Sequence, residues 1–383
     1  MSYSIIVGLN PALQKRFILS QNTPSLIPNN VHRASAVHTG VGGKGQDVAI
    51  TIHGICKESI SQSIHLMQYM GEDTSGDIAM LKLKSNLSNN TIVDVDMLTV
   101  RCSAPLRTCT TIIGENGATE LVEPTGSIQN SEIETMEKKL NQLLMNNEMG
   151  SSFRGLCIMG SMPPGCPPNY YAQICEQISQ NIGRKPINSY KCLIDSVVGL
   201  EHLVKQMEES GKSFESMLKI NYGELCRLAN IGTTTDAQEA STNDVAFAIE
   251  SLFNVYHNID RVFKYIAVTN GKHHAYFVDM DNGKQFFKLE GFDIISFHGP
   301  LYPIGAGDAV AAGTFAVWCN HPLKDDLNGV LNLNQNSYCD ALHAFRFGLA
   351  CGSASCLQEE NSVVDVNDVI KILSQIKIEE IEI

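Results

Sequence analysis

The residues best equipped for chemistry are Gly305-Ala306-Gly307-Asp308-Ala309, where a turn of small residues runs into an apolar stretch from Val310 to Ala316. Small residues ahead of a helix let backbone N–H groups face an anion, and the helix dipole adds to the attraction. A carboxylate at that helix start can take a proton from a hydroxyl while the adjacent amides stabilise a transferring phosphoryl group. A glycine turn with an Asp N-cap has the same letters, so the pattern gains weight only from its company.

That company is spread along the chain. Gly40-Val41-Gly42-Gly43-Lys44-Gly45-Gln46-Asp47 reads as a backbone-exposing turn with one cation, entering a helix with Asp47 in its first turn. It matches GxGxxG literally but has no strand leading into it as a dinucleotide site needs, which disfavours a dehydrogenase. It is no P-loop either, since Gly45 follows the lysine where Ser or Thr belongs. Such a turn suits close approach to a polyhydroxy ligand. In Lys219-Ile220-Asn221-Tyr222-Gly223-Glu224, an amide and a carboxylate three apart share one helical face. They can hold water around Mg2+, or equally cap a helix. Gly160-Ser161-Met162-Pro163-Pro164-Gly165 and Val268-Thr269-Asn270-Gly271 each follow an apolar run, the place where open α/β sheets bind ligands.

These loops need a scaffold of parallel strands. Buried-strand candidates are Ser4–Val7, Leu156–Met159, Cys192–Ile194 and Tyr265–Val268, with helical patterns at Asn169–Ser179 and Asp308–Trp318. The alternation predicts an α/β fold with a mostly parallel central sheet covered on both faces. Gln14–Thr39 and Val93–Val122 instead alternate apolar and polar residues rich in Thr, Val and Ile, as half-exposed antiparallel strands do. They predict a small β-sheet lid on one domain spanning residues 1–383. Ser85–Thr91, Thr233–Asn243 and Asp279–Lys284 read as surface loops.

Composition narrows the function classes. The 383 residues are 43% hydrophobic and 18% charged, with a net charge of −13, which argues against a nucleic-acid partner. No run of eighteen apolar residues predicts a membrane span. The N-terminal stretch lacks a secretory core, so a cytoplasmic protein is expected. The twelve cysteines form no CxxC pair or zinc spacing and read as reduced thiols.

Taken in order, the motifs resemble the ribokinase (PfkB) family of carbohydrate kinases, most closely its 1-phosphofructokinase and tagatose-6-phosphate kinase branch. Gly8-Leu9-Asn10-Pro11-Ala12-Leu13-Gln14 stands for that branch's opening T-L-N-P-A-x-D, and Gly42 to Ala49 for its G-G-K-G-x-N-V-A. Gly160 to Gly165 with Tyr171-Ala172 matches G-S-L-P-P-G, Lys219 to Leu225 matches K-P-N-x-x-E-L, and Gly305 to Asp308 matches G-A-G-D. Phe345 to Ala354 is similar to the family's small-residue helix beside the nucleotide.

The resemblance implies a ribokinase-like αβα sandwich with a β-lid, and an ATP-dependent phosphotransferase. Asp308 would be the catalytic base and the Gly305, Ala306 and Gly307 amides the anion hole. Asn221 and Glu224 would hold Mg2+ through water. Thr269 and Gly271 would contact ATP, and Lys219 would lie near its phosphates. A monovalent cation and a homodimer formed through the lid are further expectations.

Gln14, Gly42, Gly43, Lys44, Asp47, Arg107 and Ser161 match substrate positions. Of these, Lys44, Arg107 and Ser161 resemble the contacts of a phosphosugar such as fructose 1-phosphate or tagatose 6-phosphate. Arg107 is expected on a lid strand, and Arg101 is a weaker candidate. Glu120 and Glu123 would disfavour an anion if they faced the pocket.

The sequence departs from the family at Gln14 and Asp47, where amide and acid have exchanged places, and at His274 in the nucleotide loop. Two alternatives stand beside the phosphosugar kinase: a kinase of an unphosphorylated sugar or nucleoside, and a catalytically silent sugar-binding regulator. Retention of Asp308 argues against the regulator.

Overall fold

The computed structural model describes residues 2–19, 26–59, 61–88, 92–114, 117–146, 152–181, 190–209, 214–232, 240–281, 284–291, 301–331 and 341–382. The chain opens with β1 (Ser2–Val7), β2 (Ala12–Leu19) and β3 (Ala34–Gly42), then α1 (Lys44–Ile55), β4 (Gln62–Gly71) and α2 (Thr74–Asn86). Short strands β5 (Val93–Asp94), β6 (Thr99–Cys102), β7 (Thr108–Gly114) and β8 (Gly117–Val122) follow. Helices and strands then alternate through α3 (Asn130–Asn146), β9 (Ser152–Met159), α4 (Tyr170–Asn181), β10 (Tyr190–Asp195), α5 (Leu200–Glu209) and β11 (Phe214–Asn221). Helices α6 (Tyr222–Leu228), α7 (Thr242–Val255) and α8 (Ile259–Val262) lead to β12 (Tyr265–Thr269), β13 (Ala275–Asp279) and β14 (Gln285–Leu289). The chain closes with α9 (Ala306–Trp318), α10 (Asp325–Leu331), α11 (Ala341–Ser355), α12 (Val366–Leu373) and β15 (Ile378–Ile381).

The large sheet runs in the order β15-β14-β13-β12-β11-β10-β9-β1-β4-β5, parallel from β12 to β5 and antiparallel beyond β12, with β6 also on β4. Its parallel strands are buried on both faces, which is why they read as unbroken apolar runs. Two cores result. One lies under α1, α9 and α11, with Phe315, Trp318, Phe345 and Phe347 at its centre. The other lies under α3, α4, α5 and α7, with Tyr170, Tyr171 and Phe263. This is the three-layer α/β arrangement expected. Strand order reverses at β1, which has β4 on one side and β9 on the other, so a crevice opens beyond the carboxyl ends of these strands.

The small sheet has the order β3-β2-β7-β8. It accounts for the first alternating stretch, but only part of the second. Val93–Cys102 pairs with β4 at the edge of the large sheet, as β5 and β6, with Val93, Val100 and Cys102 buried. Alternation reports a half-exposed strand, and the partner it finds is a tertiary matter. Residues 20–25 of the first stretch lie outside the described residues, as do 89–91, 233–239 and 282–283 of the expected loops.

Eleven described cysteines are in no disulfide and all but Cys166 are buried. No helix among the described residues is long and apolar enough to cross a membrane.

One contact carries the glycine turn into the crevice. A Cβ on Gly45, at the start of α1, would stand 2.4 Å from Cα of Gly8 at the end of β1, so helix and strand meet backbone to backbone. Gly45→Ala should lower the unfolding free energy by about 1–3 kcal/mol through overpacking. Gly40→Ala, with open space around its Cβ, should cost less than about 0.5 kcal/mol. Urea unfolding of both variants measures the difference, and equal losses would remove the close approach as the cause.

Candidate active site

Residues of four of the loops singled out in the sequence, among them Lys44, Ser161, Glu224 and Gly305, meet at this crevice. Gly305 caps α9 with φ 82°, and a side chain there would also meet Ser362 Oγ at 2.4 Å. No side chain caps the helix. Ala306 N donates to Pro303 O at 3.2 Å and Ala309 N to Gly305 O at 2.9 Å. Among the described residues, no backbone carbonyl outside the helix accepts from Gly307 or Asp308. Of the expected Gly305–Gly307 amides, Ala306 is therefore engaged, while Gly305 and Gly307, and Asp308 beside them, have no such backbone partner among the described residues.

Asp308 stands in the first turn of α9, facing a cavity of about 490 Å³. Burial raises its carboxyl, Lys44 pulls it back, Asp195 pushes it up again and Lys219 and Glu224 add smaller opposing effects, which together leave it at about 7. The charges around it form a chain. Asp195, at the end of β10, accepts from Lys44 Nζ at 2.6 Å and from Lys219 Nζ at 2.5 Å. Against the cost of its burial, the two lysines hold Asp195 below the usual carboxylate range. Lys44 also reaches Glu224 Oε1 at 3.3 Å, and its pKa is raised by Asp195, Asp308 and Glu224 against the cost of burial. The Lys219 ammonium lies 3.7 Å from where a Cβ on Gly307 would stand, directly beneath the turn.

Asn221 and Glu224 form a capping box at the start of α6: Glu224 N donates to Asn221 Oδ1 at 2.8 Å and Asn221 N to Glu224 Oε2 at 3.0 Å. Each carboxylate oxygen retains a further lone pair, so capping leaves room to accept from water. No cluster of three or more His, Cys, Asp or Glu that would cage a metal occurs among the described residues. The pair fits Mg2+ held through its own water shell and substrate phosphates rather than by direct ligation.

Gln14, Gly43, Lys44, Asp47, Arg107, Ser161, Glu224, Gly305 and Asp308 line the cavity together. Gly42 lies behind it, packed on Gln14. Thr269 pairs with Asn221 on the neighbouring strand, and Gly271 follows it with φ 58° and open space around it. These two, with Lys219, Asn221, Ala306 and Gly307, stand outside the cavity lining.

Some details differ from expectation. Arg107 precedes β7 rather than lying on it, and its guanidinium donates to Asn10 O at 2.9 Å and Pro11 O at 3.3 Å. Arg101 is at the edge of the large sheet, paired with Asp77 at 2.6 Å, and plays no part in the cavity. Gln14 donates its amide to Thr111 Oγ1 at 2.7 Å. Glu120 does line the cavity, whereas Glu123 accepts from Thr108 N at 2.7 Å. Burial and the charge of Asp308 push Asp47 well above the carboxylate range, against Ser362 and Arg16.

Sequence reading missed Asp195, although an acid closing the apolar run Cys192–Ile194 was a usable signal. It also missed Asn361 in the cavity wall, for which no local signal exists.

The profile described as pfkB family carbohydrate kinase matches residues 17–364. Among solved structures, phosphofructokinase-2 of Escherichia coli in complex with potassium is similar at TM-score 0.67 and 20% identity, with 98% of this chain and 99% of that one covered. A possible 1-phosphofructokinase of Thermotoga maritima is similar at TM-score 0.69 and 15% identity over 99% and 100% of the two chains. Arabidopsis thaliana ribokinase complexed with ribose and ATP gives TM-score 0.60 and 14% identity over 97% and 99%. At these identities the neighbours establish the ribokinase-like fold, and the profile match establishes the family. The chain belongs to the pfkB family of carbohydrate kinases and is an ATP-dependent kinase of that family.

Proposed function

We propose that the acceptor is a ketohexose phosphate of the fructose 1-phosphate or tagatose 6-phosphate class, and that Asp308 takes the proton from its hydroxymethyl group. The observation that carries this reading is the meeting of Arg107, Lys44 and Ser161 in one cavity with Asp308. Asn10 supports the arrangement, donating its amide to Ser161 Oγ at 3.0 Å while its carbonyl holds Arg107. A guanidinium tied down on one edge keeps its other donors in fixed directions, which suits a phosphate.

In this reading the Gly307 and Asp308 amides, with Lys219 beneath them, stabilise the transferring phosphoryl group. Thr269 and Gly271 lie on the nucleotide side. Asn221 and Glu224 orient the water shell of Mg2+, which when bound neutralises phosphate charge. A monovalent cation is a further candidate, since the Escherichia coli neighbour was solved with potassium. Exposed Val37 and Leu121 on the lid suit a homodimer formed there.

A second reading, an unphosphorylated sugar or nucleoside as acceptor, is favoured by one observation. Glu120 joins Asp47, Glu224 and Asp308 in the lining, against only Lys44 and Arg107. Lys44 is already engaged by Asp195 and Glu224.

Because a base works only when deprotonated, kcat/KM should rise with pH through a midpoint near 7. Asp308→Asn should lower turnover by roughly 100-fold or more with ATP binding intact. Lys44→Met removes a positive charge that favours the carboxylate, so its acid limb should move to higher pH. An acid limb that stays in place in that variant would separate Lys44 from the base. For the acceptor, Arg107→Ala should raise the KM of fructose 1-phosphate or tagatose 6-phosphate about tenfold or more and leave that of ATP unchanged. Equal losses on phosphorylated and neutral sugars would make Arg107 a support of the Asn10–Pro11 loop, and preference of the wild type for the neutral sugar would favour the second reading.

A further inference from the structure

The cavity has a wall that no motif announces. After α11 the chain turns back through residues 356–362 and brings Asn361 into the lining. This segment is tied on two sides. Thr51 Oγ1 donates to the Ser362 carbonyl at 2.6 Å, and Ser362 Oγ donates to the Gly305 carbonyl at 3.1 Å. Ser362 is also near enough to the Asp47 carboxyl to oppose the rise of its pKa. A Cβ on Gly305 would stand 3.6 Å from that of Asn361. Asn361 is thereby fixed beside both Asp47 and the turn that carries Asp308.

Asn361 is only 9% exposed and Asp47 only 5%, yet Oδ1 of each has no hydrogen-bond partner in the protein. Buried polar atoms are nearly always paired in native proteins, so two unpaired oxygens on one wall mark a place where a ligand supplies donors. Sugar hydroxyls are such donors. A phosphate dianion has none to give, and its charge belongs on the Arg107 side of the cavity.

We propose that Asn361 is a specificity-determining contact of the acceptor, binding sugar hydroxyls together with Asp47 and so fixing which end of the sugar meets Asp308. This rests on the reading of the cavity as the acceptor site. Asp47 holds its place by motif, whereas Asn361 holds its place only by the return of the chain after α11. The acceptor then lies across the cavity, with its hydroxylated face on the Asp47–Asn361 wall.

The test is steady-state kinetics of the full chain with ATP and, in turn, fructose 1-phosphate, tagatose 6-phosphate, D-fructose and their monodeoxy analogues. Asn361→Leu keeps the volume and removes both polar atoms. It should raise the acceptor KM about tenfold with the KM of ATP within about twofold. In the wild type one monodeoxy analogue should show a similar loss, and in Asn361→Leu that analogue should lose nothing more. Asn361→Ser serves in the same cycle if the leucine variant fails to fold. An acceptor KM within twofold of wild type in a folded variant, or deoxy penalties that multiply with the mutation at every position, overturns the proposal. Turnover of D-fructose but of neither phosphosugar overturns the phosphosugar reading alone, and the cycle is then read on D-fructose. Calorimetric titration of the same sugars reads the contact without turnover: a tenfold weaker binding in the variant supports it, and unchanged binding, or no binding to the wild type, overturns it.

Discussion

Asp195 is the charge on which the site depends. It is 1% exposed, and a carboxylate so far from water survives ionised only if its environment replaces hydration. Two ammonium groups do so, one from the glycine turn of α1 and one from the end of β11. Removing a partner from such a buried pair costs about 3–5 kcal/mol, because a buried charge is left uncompensated. The same pairing fixes the two lysines. Lys44 is held between Asp195 and Glu224, and Lys219 is held under the amides of the Gly305 turn. The glycine turn of α1 and the end of β11 are thus joined through one side chain.

The electrostatics of Asp308 follow from that arrangement. Alone in a dry pocket it would be protonated and useless as a base. Between Lys44 and Lys219 on one hand and Asp195 and Glu224 on the other, it is left near 7, where both protonation states are accessible. Asp47 has no comparable cation beside it. Burial and the charge of Asp308 raise its pKa against Ser362 and Arg16, which favours the protonated form, a donor as well as an acceptor to a hydroxyl. Two acids on one cavity are thereby set apart by their surroundings.

The lid closes the cavity from the other side and brings mixed chemistry with it. Its inner face carries Gln14, Cys109 and Glu120, and Gln14 is steadied by Thr111 across β2 and β7. Arg107 enters where the chain leaves the large sheet for the lid, and its hold on the Asn10–Pro11 carbonyls joins the opening loop to the lid base. The cavity therefore takes groups from α1, the lid, β9, α9 and the return after α11 at once.

The apolar runs of β1, β9, β10 and β12 could be read directly, because a strand buried on both faces has no polar positions to confuse the pattern. The motifs at Gly42–Asp47, Asn221–Glu224 and Gly305–Asp308 could be read for a related reason: backbone that must approach a ligand or another backbone admits few residue types. Sequence alone thus determined the layer architecture and the family, and it singled out Asp308. It did not assign β5 and β6 to the large sheet, because alternation is the same whichever partner a strand finds. Nor could it find Asp195 and Asn361 as members of one site. Their meaning lies in what stands across from them — two lysines for Asp195, Asp47 and the Gly305 turn for Asn361 — and those partners are far away along the chain. Only the tertiary structure decided them, since charge pairing and hydrogen bonding act over a few ångströms of space and are blind to sequence distance.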